Sequence, residues 1–224
     1  LQSLTIEFLH EERFPPIKLN RIDTDEGRRY TIPNSDLEYE SVTSALGKLP
    51  GKKEGLMEWR RRVGEEEANR VSRTAAARGT SLHHIIEDYL NNKGIQTEGH
   101  MPMPVSLFFS MKEMIDASIQ KVFALEQSLY SDQYRLAGTV DCIAQVMNRL
   151  TVIDFKSSTK PKERGWITDY FLQAAAYSFM IEEMYGQTVE SNIIMIGVEN
   201  SDPQIFVSDP YKYKTDPFFL DRTK

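Results

Sequence analysis

Two adjoining stretches of alternating residues, 137–146 and 150–157, constrain this chain more than anything else in it. In the first, Val140, Cys142, Ala144 and Val146 alternate with Thr139, Asp141, Ile143 and Gln145. In the second, Leu150, Val152, Asp154 and Lys156 share one side. Side chains two apart on a strand point to the same face, so both stretches read as strands. Asn148-Arg149 between them reads as a short turn, and the pair as an antiparallel hairpin. Such a hairpin is unstable until its apolar sides are covered. The cover is visible in a long helix over about 166–184, an apolar strand over 192–198, a turn at Glu199-Asn200-Ser201-Asp202-Pro203 and a further strand over 205–207.

Upstream the pattern is helical. Ser41-Val42-Thr43 opens a short helix over about 42–48, which Leu49-Pro50-Gly51 ends. Residues 54–92 read as helix with a break at Arg78-Gly79-Thr80, after which Leu82, Ile85, Ile86, Tyr89 and Leu90 form an apolar stripe at helical spacing. A further helix is expected over about 104–127, with Glu126 at its end. Residues 1–38 mix charge with Pro15, Pro16 and Pro33 and read as short strands or turns. The expected class is therefore α/β (α+β), a central mixed sheet flanked by helices with a helical N-terminal extension. One domain over 1–224 is expected: an arm (1–40), a helical part (41–128), a sheet core with the site (129–210) and a tail (211–224).

Composition narrows the functional classes. Hydrophobic residues make up 40% and charged residues 27% of the 224, enough for a core and a solvated surface. Lys plus Arg is 27 against 33 for Asp plus Glu, a net charge of −6, which disfavours a generic electrostatic coat on nucleic acid but leaves room for a local basic groove. The single cysteine, Cys142, excludes an internal disulfide framework and a cysteine-built zinc site, and fits a reducing compartment. No apolar run approaches the ~18 residues of a membrane span, and no signal or transit sequence is legible from Leu1 onward.

Asp154-Phe155-Lys156 places a carboxylate and an ammonium side by side at the end of an apolar strand. Alone this is an ordinary surface ion pair. Asp141, thirteen residues earlier on the facing strand, changes the reading: two carboxylates converging on a sheet rim repel unless a cation joins them. Hard oxygen donors favour Mg²⁺ or Mn²⁺. His83, at the edge of the buried stripe, reads either as a boundary histidine or as a third ligand, with Glu87 one turn on. Gln173 and Tyr177, four apart on the long helix, read either as core or as site residues. The Arg60-Arg61-Arg62, Arg70, Arg73 and Arg78 series is either a solvated mixed-charge face or part of a phosphate-tracking groove. Lys160, Lys162 and Arg164 follow the second strand, and Trp166, Phe108 and Phe109 either stack on bases or fill the core.

Taken in order, Arg78-Gly79-Thr80-Ser81-Leu82-His83 with Glu87, Gly138-Thr139-Val140-Asp141, Asp154-Phe155-Lys156-Ser157-Ser158 and Gln173-Ala174-Ala175-Ala176-Tyr177 resemble the PD-(D/E)XK nucleases of the RecB-like branch. Within that branch they resemble most the mitochondrial genome maintenance exonuclease and related phage exonucleases. The resemblance covers roughly residues 40–200. It implies a restriction-endonuclease-like core, with Asp141, Asp154, the Phe155 carbonyl and His83 as ligands of one or two Mg²⁺ or Mn²⁺ ions. Lys156 would position or help deprotonate the attacking water, and Gln173 and Tyr177 would brace the site or bind the scissile phosphate. Glu87 and Glu126 would support the ligands from behind. Ser157, Ser158, Arg78, Arg73, Lys160 and Trp166 would contact DNA.

The expected activity is a metal-dependent DNA exonuclease preferring single-stranded ends, in replication, recombination, repair or phage DNA processing. A structure-specific flap endonuclease and a non-cleaving DNA-binding module are the alternatives. The expected setting is a bacterial or phage-infected cytoplasm, with the mitochondrial matrix as the alternative.

Overall fold

The computed structural model describes residues 6–223. Its strands are β1 (Leu9–His10), β2 (Asn20–Thr24), β3 (Gly27–Thr31), β4 (Glu38–Ser41), β5 (Lys121–Ser131), β6 (Leu136–Val146), β7 (Arg149–Ser158), β8 (Ser191–Val198) and β9 (Gln204–Ser208). The helices are α1 (Val42–Gly47), α2 (Lys52–Val63), α3 (Glu65–Leu90), α4 (Pro102–Ser118), α5 (Thr168–Tyr185) and α6 (Pro217–Leu220). A mixed sheet runs β2-β3-β4-β6-β7-β8-β9, and β5 pairs with β6 and with β1. Helix α5, crossing between the parallel strands β7 and β8, packs with α1 against one face of the sheet. Helices α3 and α4 cover the other face. The result is a mixed α/β sandwich consistent with a restriction-endonuclease-like fold.

The expected hairpin is present, pairing Cys142 with Ile153 through to Val146 with Arg149. Its turn falls one residue earlier than expected, at Met147 and Asn148, which adopt φ of 49° and 61°. Two successive left-handed residues match the strand twist of a tight hairpin. Faces divide as the alternation requires: Ile143 and Val152 join the α5 side, while Cys142, Ala144 and Ile153 join the α3–α4 side.

Two expectations are corrected. The helix break falls at Gly64, whose φ is 87°, and not at 78–80. Gly79 lies inside α3 with nothing near its missing Cβ, so Thr80 caps nothing. The helix expected over 104–127 ends at Ser118, because Ile119 turns extended, and β5 follows. Glu126 is thus a strand residue within the stretch expected to be helical. A register shift between Val122 and Ala124 disrupts the two-residue alternation that would have announced the strand. The short strands expected in the N-terminal arm are present and join the sheet: β2 and β3 form a hairpin that reaches β6 through β4.

One feature of the sheet makes the site. Strand β5 pairs along one edge of β6 from Leu136 to Gln145. The other edge is shared: β4 takes Leu136 and Ala137, and β7 takes residues from Cys142 onward. Residues 138–141 are left open on that edge, in a fork between β4 and β7.

Candidate active site

Asp141 and Asp154 stand at the root of this fork, one step beyond the last paired residues, Cys142 and Ile153. Asp141 Oδ2 accepts a hydrogen bond of 2.8 Å from the Phe155 backbone N–H, which fixes the splay of the two strands. On the other side of β6, the register that pairs Leu125 with Cys142 and Gln127 with Val140 sets Glu126 opposite Asp141. Glu126 holds a φ of 47°. A non-glycine residue in this region is held there at a cost of about 1–3 kcal/mol and is a mark of functional sites.

His83, on the part of α3 that packs on the sheet, completes the group. Its Nε2 lies 2.8 Å from the Phe155 carbonyl oxygen. Its Nδ1 lies 3.5 Å from Asp141 Oδ1 and 3.9 Å from Glu126 Oε1. Ligand atoms of His83, Glu126 and Asp141 all fall within 4.8 Å of one another. With Nε2–H given to the carbonyl, Nδ1 faces the carboxylates; a cation bound there would displace the Nδ1 proton, and the Nε2–H bond would set the ring as an outer hydrogen bond sets a ligating histidine.

Strand β7 and helix α5 build the opposite wall. Lys156 Nζ donates to Asp154 Oδ1 at 2.8 Å and to Gln173 Oε1 at 3.0 Å, and lies 5.2 Å from the centroid of the Tyr170 ring. Tyr177, one turn after Gln173, lies against Gly138: a Cβ there would stand 2.8 Å from the tyrosine hydroxyl. Glycine at the mouth of the fork is therefore a packing requirement.

The electrostatics follow from crowding. Burial drives the Asp141 carboxyl up, against the pull of His83 and Lys156. Burial likewise pushes Asp154 up to about 6, although Lys156 opposes it. For His83, burial disfavours the charge, yet Asp141 and Glu126 together push the imidazole up to about 9. Lys156 is also held above its ordinary value, because Asp154 and Asp141 outweigh its burial. Glu87 is raised by burial and then by the Glu126 charge. This excess of unneutralised carboxylate is what a divalent cation relieves. Asp154 is buried, and the Lys156 ammonium lies 2.7 Å from its Oδ2 and 2.8 Å from its Oδ1, so its charge is met within the chain. One imidazole nitrogen and hard carboxylate oxygens suit Mn²⁺ or Mg²⁺.

Two cavities meet at His83. One, about 250 Å³, fills the fork and is lined by Asp141, Lys156, Gln173 and Tyr177 together with Arg28, Tyr30, Ser41 and Thr43. The other, about 320 Å³, is lined by Gly79, Thr80, His84, Glu87 and Glu126.

The structure gathers Asp141, Asp154, Lys156, Gln173, Tyr177, His83 and the Phe155 carbonyl around the fork. Glu126, expected behind the ligands, lies in the compact group with His83 and Asp141, and Asp154 lies with Lys156. The residues expected on DNA are less uniform. Arg78 is bonded to Ser157 Oγ at 3.2 Å and to Glu199. Ser158 is buried, and its hydroxyl closes a turn onto the Lys160 carbonyl at 2.6 Å. Lys160, Arg73 and Trp166 are exposed, as is Phe109, whereas Phe108 is core. Sequence reasoning missed Arg28 and Tyr30, whose alternation after Gly27 is the one trace they leave, and singled out Ser41-Val42-Thr43 without assigning it to the site.

Residues 39–216 match the model of the PD-(D/E)XK nuclease superfamily. The chain is 28% identical over 161 residues to mitochondrial genome maintenance exonuclease 1 of Xenopus tropicalis, covering 66% of this chain and 44% of that protein. It is 26% identical over 181 residues to the Mus musculus protein of that name (77% and 53% covered), and 25% identical over 172 residues to that of Homo sapiens (73% and 50%). The chain spans about half the length of these curated relatives. Because the matched span takes in the whole fork from β4 onward and the helices on both faces of the sheet, the chain belongs to the PD-(D/E)XK nuclease superfamily.

Proposed function

We propose that the chain is a divalent-cation-dependent exodeoxyribonuclease that hydrolyses phosphodiester bonds at single-stranded DNA ends. The observation that carries this reading is the placing of His83, Asp141 and the Lys156 ammonium on one fork cavity, with Glu126 completing the His83–Asp141 group from the far side of β6. The name of the curated relatives, an exonuclease, supports it. His83, Glu126 and Asp141 would hold the ion, with Asp154 and the Phe155 carbonyl beside them. When bound, such an ion neutralises charge on the scissile phosphate and makes a water molecule more acidic.

The remaining work falls to the chain. Lys156, kept charged by its two aspartates, has no lone pair to accept a proton. Its role is to orient the attacking water and to donate to a phosphate oxygen as negative charge builds there. Gln173 holds the ammonium in place, and Tyr177 closes the wall behind it. Arg61, Arg62 and Arg73 are exposed on α2 and α3 and would track phosphates leading to the fork.

Among the described residues no helix is long and apolar enough to cross a membrane. The single buried thiol of Cys142 fits a reducing compartment that contains DNA, whether bacterial cytoplasm or mitochondrial matrix.

The test is a time course on linear single- and double-stranded DNA labelled at either end, beside a closed single-stranded circle, with Mg²⁺, Mn²⁺ or chelator. Release of short products from linear single strands, an intact circle and abolition by chelator are expected. Cutting of the circle would replace this reading by an endonuclease, and metal-dependent binding without cleavage by a non-cleaving module.

A further inference from the structure

We propose that Arg28, carried by the β2–β3 hairpin outside the matched family span, binds a phosphate of the substrate strand inside the fork. The inference deepens the nuclease reading and rests on it. Arg28 lines the same cavity as Asp141, Lys156, Gln173 and Tyr177. Its Nε is buried and has no hydrogen-bond partner. The nearest carboxylate, Asp23 Oδ1, is 3.9 Å away and already receives Arg21 at 2.9–3.1 Å. A buried donor with no partner favours any acceptor that reaches it, and the rest of the side chain, 38% exposed, is open to one.

The other cations that line this cavity are engaged. Lys156 is committed to Asp154 and Gln173, and His83 to the Phe155 carbonyl and the carboxylates beside it. Among the cations lining the cavity, Arg28 is the one with a buried donor, Nε, that makes no hydrogen bond within the chain.

Its backbone is also fixed in place. The Arg28 N–H donates to Ser44 Oγ at 2.9 Å, and Ser44 bonds in turn to Ser41 at the start of α1. Gly27 permits this approach: its φ is 121°, and a Cβ would stand 2.8 Å from Ser44 Oγ. The hairpin therefore presses Arg28 against the fork and does not swing free. Alternation along β3 sends Arg28 and Tyr30 toward the cavity, whereas Arg29 pairs with Glu26 at 3.3 Å and Glu38 at 3.7 Å. A planar guanidinium that offers several donors suits a phosphodiester, whose oxygens can take two of them at once.

The test compares Arg28→Ala, Arg28→Lys and Arg29→Gln in the full chain. For cleavage of a single-stranded oligonucleotide, Arg28→Ala is expected to raise KM at least tenfold with kcat within threefold of wild type. Arg28→Lys is expected to recover part of that loss, and Arg29→Gln to match wild type. Removing one phosphate contact on a single strand should also lower the slope of log affinity against log salt by about 0.7. Binding is measured in chelator, where the proposed cleavage is blocked, with and without Arg28→Ala, against a labelled oligonucleotide. This arm reads the Arg28 contact even if the wild-type chain cleaves nothing, so failure of the nuclease reading is seen separately. An Arg28→Ala chain that binds like its parent with an unchanged salt slope overturns the proposal. So does an Arg29→Gln chain with the same loss, since that would trace the effect to docking of the hairpin.

Discussion

The two walls of the site both carry charge but are completed differently. On the β7–α5 wall, Lys156 reaches Asp154 at 2.7–2.8 Å and Gln173 at 3.0 Å, a closed set of partners. On the β5–α3 wall, His83 stands 3.5 and 3.9 Å from the carboxylates it faces, too far for hydrogen bonds of ordinary strength. The first wall is assembled by the chain alone. The second is spaced for something placed among its members. On the function proposed above, the first wall would act electrostatically on the substrate and the second would bind the ion.

Removing the amine should have the largest effect. Lys156→Met is expected to lower kcat by about 10²–10³-fold, the scale for losing one donor aimed at developing charge. It also strands Asp154, whose side chain is 2% exposed, and breaking a buried pair from one side is unfavourable by about 3–5 kcal/mol. Denaturant titration should therefore show a large loss of stability, much of it recovered in a Lys156→Met, Asp154→Asn double variant while activity stays lost. A single variant as stable as the parent would break the claim that this wall is a closed set.

The opposite wall should respond in metal affinity. Glu126→Gln is expected to weaken Mn²⁺ binding at least about tenfold by calorimetry, with part of the activity restored at high metal concentration. Lys156→Met should leave metal affinity within a few fold. Equal loss of affinity in both variants would erase the distinction between the walls.

How far the sequence foretold this arrangement depends on which residues report their own geometry. The β6–β7 hairpin was legible because a strand with one sort of environment on each face must alternate. The C-terminal half of α3 was legible because Leu82, Ile85, Ile86, Tyr89 and Leu90 are all buried on one stripe. Strand β5 was not, since its bulge and the left-handed Glu126 break the alternation at the point where function needs them. Glu126 could thus be singled out but not set in its row beside Asp141. Gly64 and Gly79 look alike as letters; tertiary context makes one a break and the other an ordinary helix residue. Arg28 was illegible because its role comes from β4 joining β6, a contact across about a hundred residues that leaves no local pattern.

A smaller effect is expected where the two walls share a hinge. Gly138→Ala drives a methyl group into the Tyr177 ring, and overpacking of this kind is unfavourable by about 1–3 kcal/mol. The ring backs the Lys156 wall, so activity should fall while Mn²⁺ affinity holds. If metal affinity falls as far as activity, the walls move as one body and the contrast between them is weaker than the distances suggest.

The smallest effect should come from a charged cluster near β4, where a half-buried carboxylate is paired with two cations that are themselves more open to solvent. Glu40 on β4 is bonded to Lys48 at 2.6 Å and to Arg222 at 2.9 Å. Burial raises its carboxyl, but the hydrogen bonds from Lys48 and Arg222 prevail and hold it below its ordinary value of 4.5. A carboxylate lowered in the folded state stabilises above its unfolded pKa, and the contribution is lost as pH falls through the folded one. Because the group is partly solvated, Glu40→Gln should be unfavourable by only about 0.5–1 kcal/mol at pH 7. Thermal melts of the two chains should differ at pH 7 and converge as pH falls below about 4. Convergence would show that a closed set of charges contributes little where water screens it, and that the Lys156 wall owes its larger expected effect to burial. A gap that persists at low pH would mean that Glu40 acts through its shape and packing, and would remove it from this comparison.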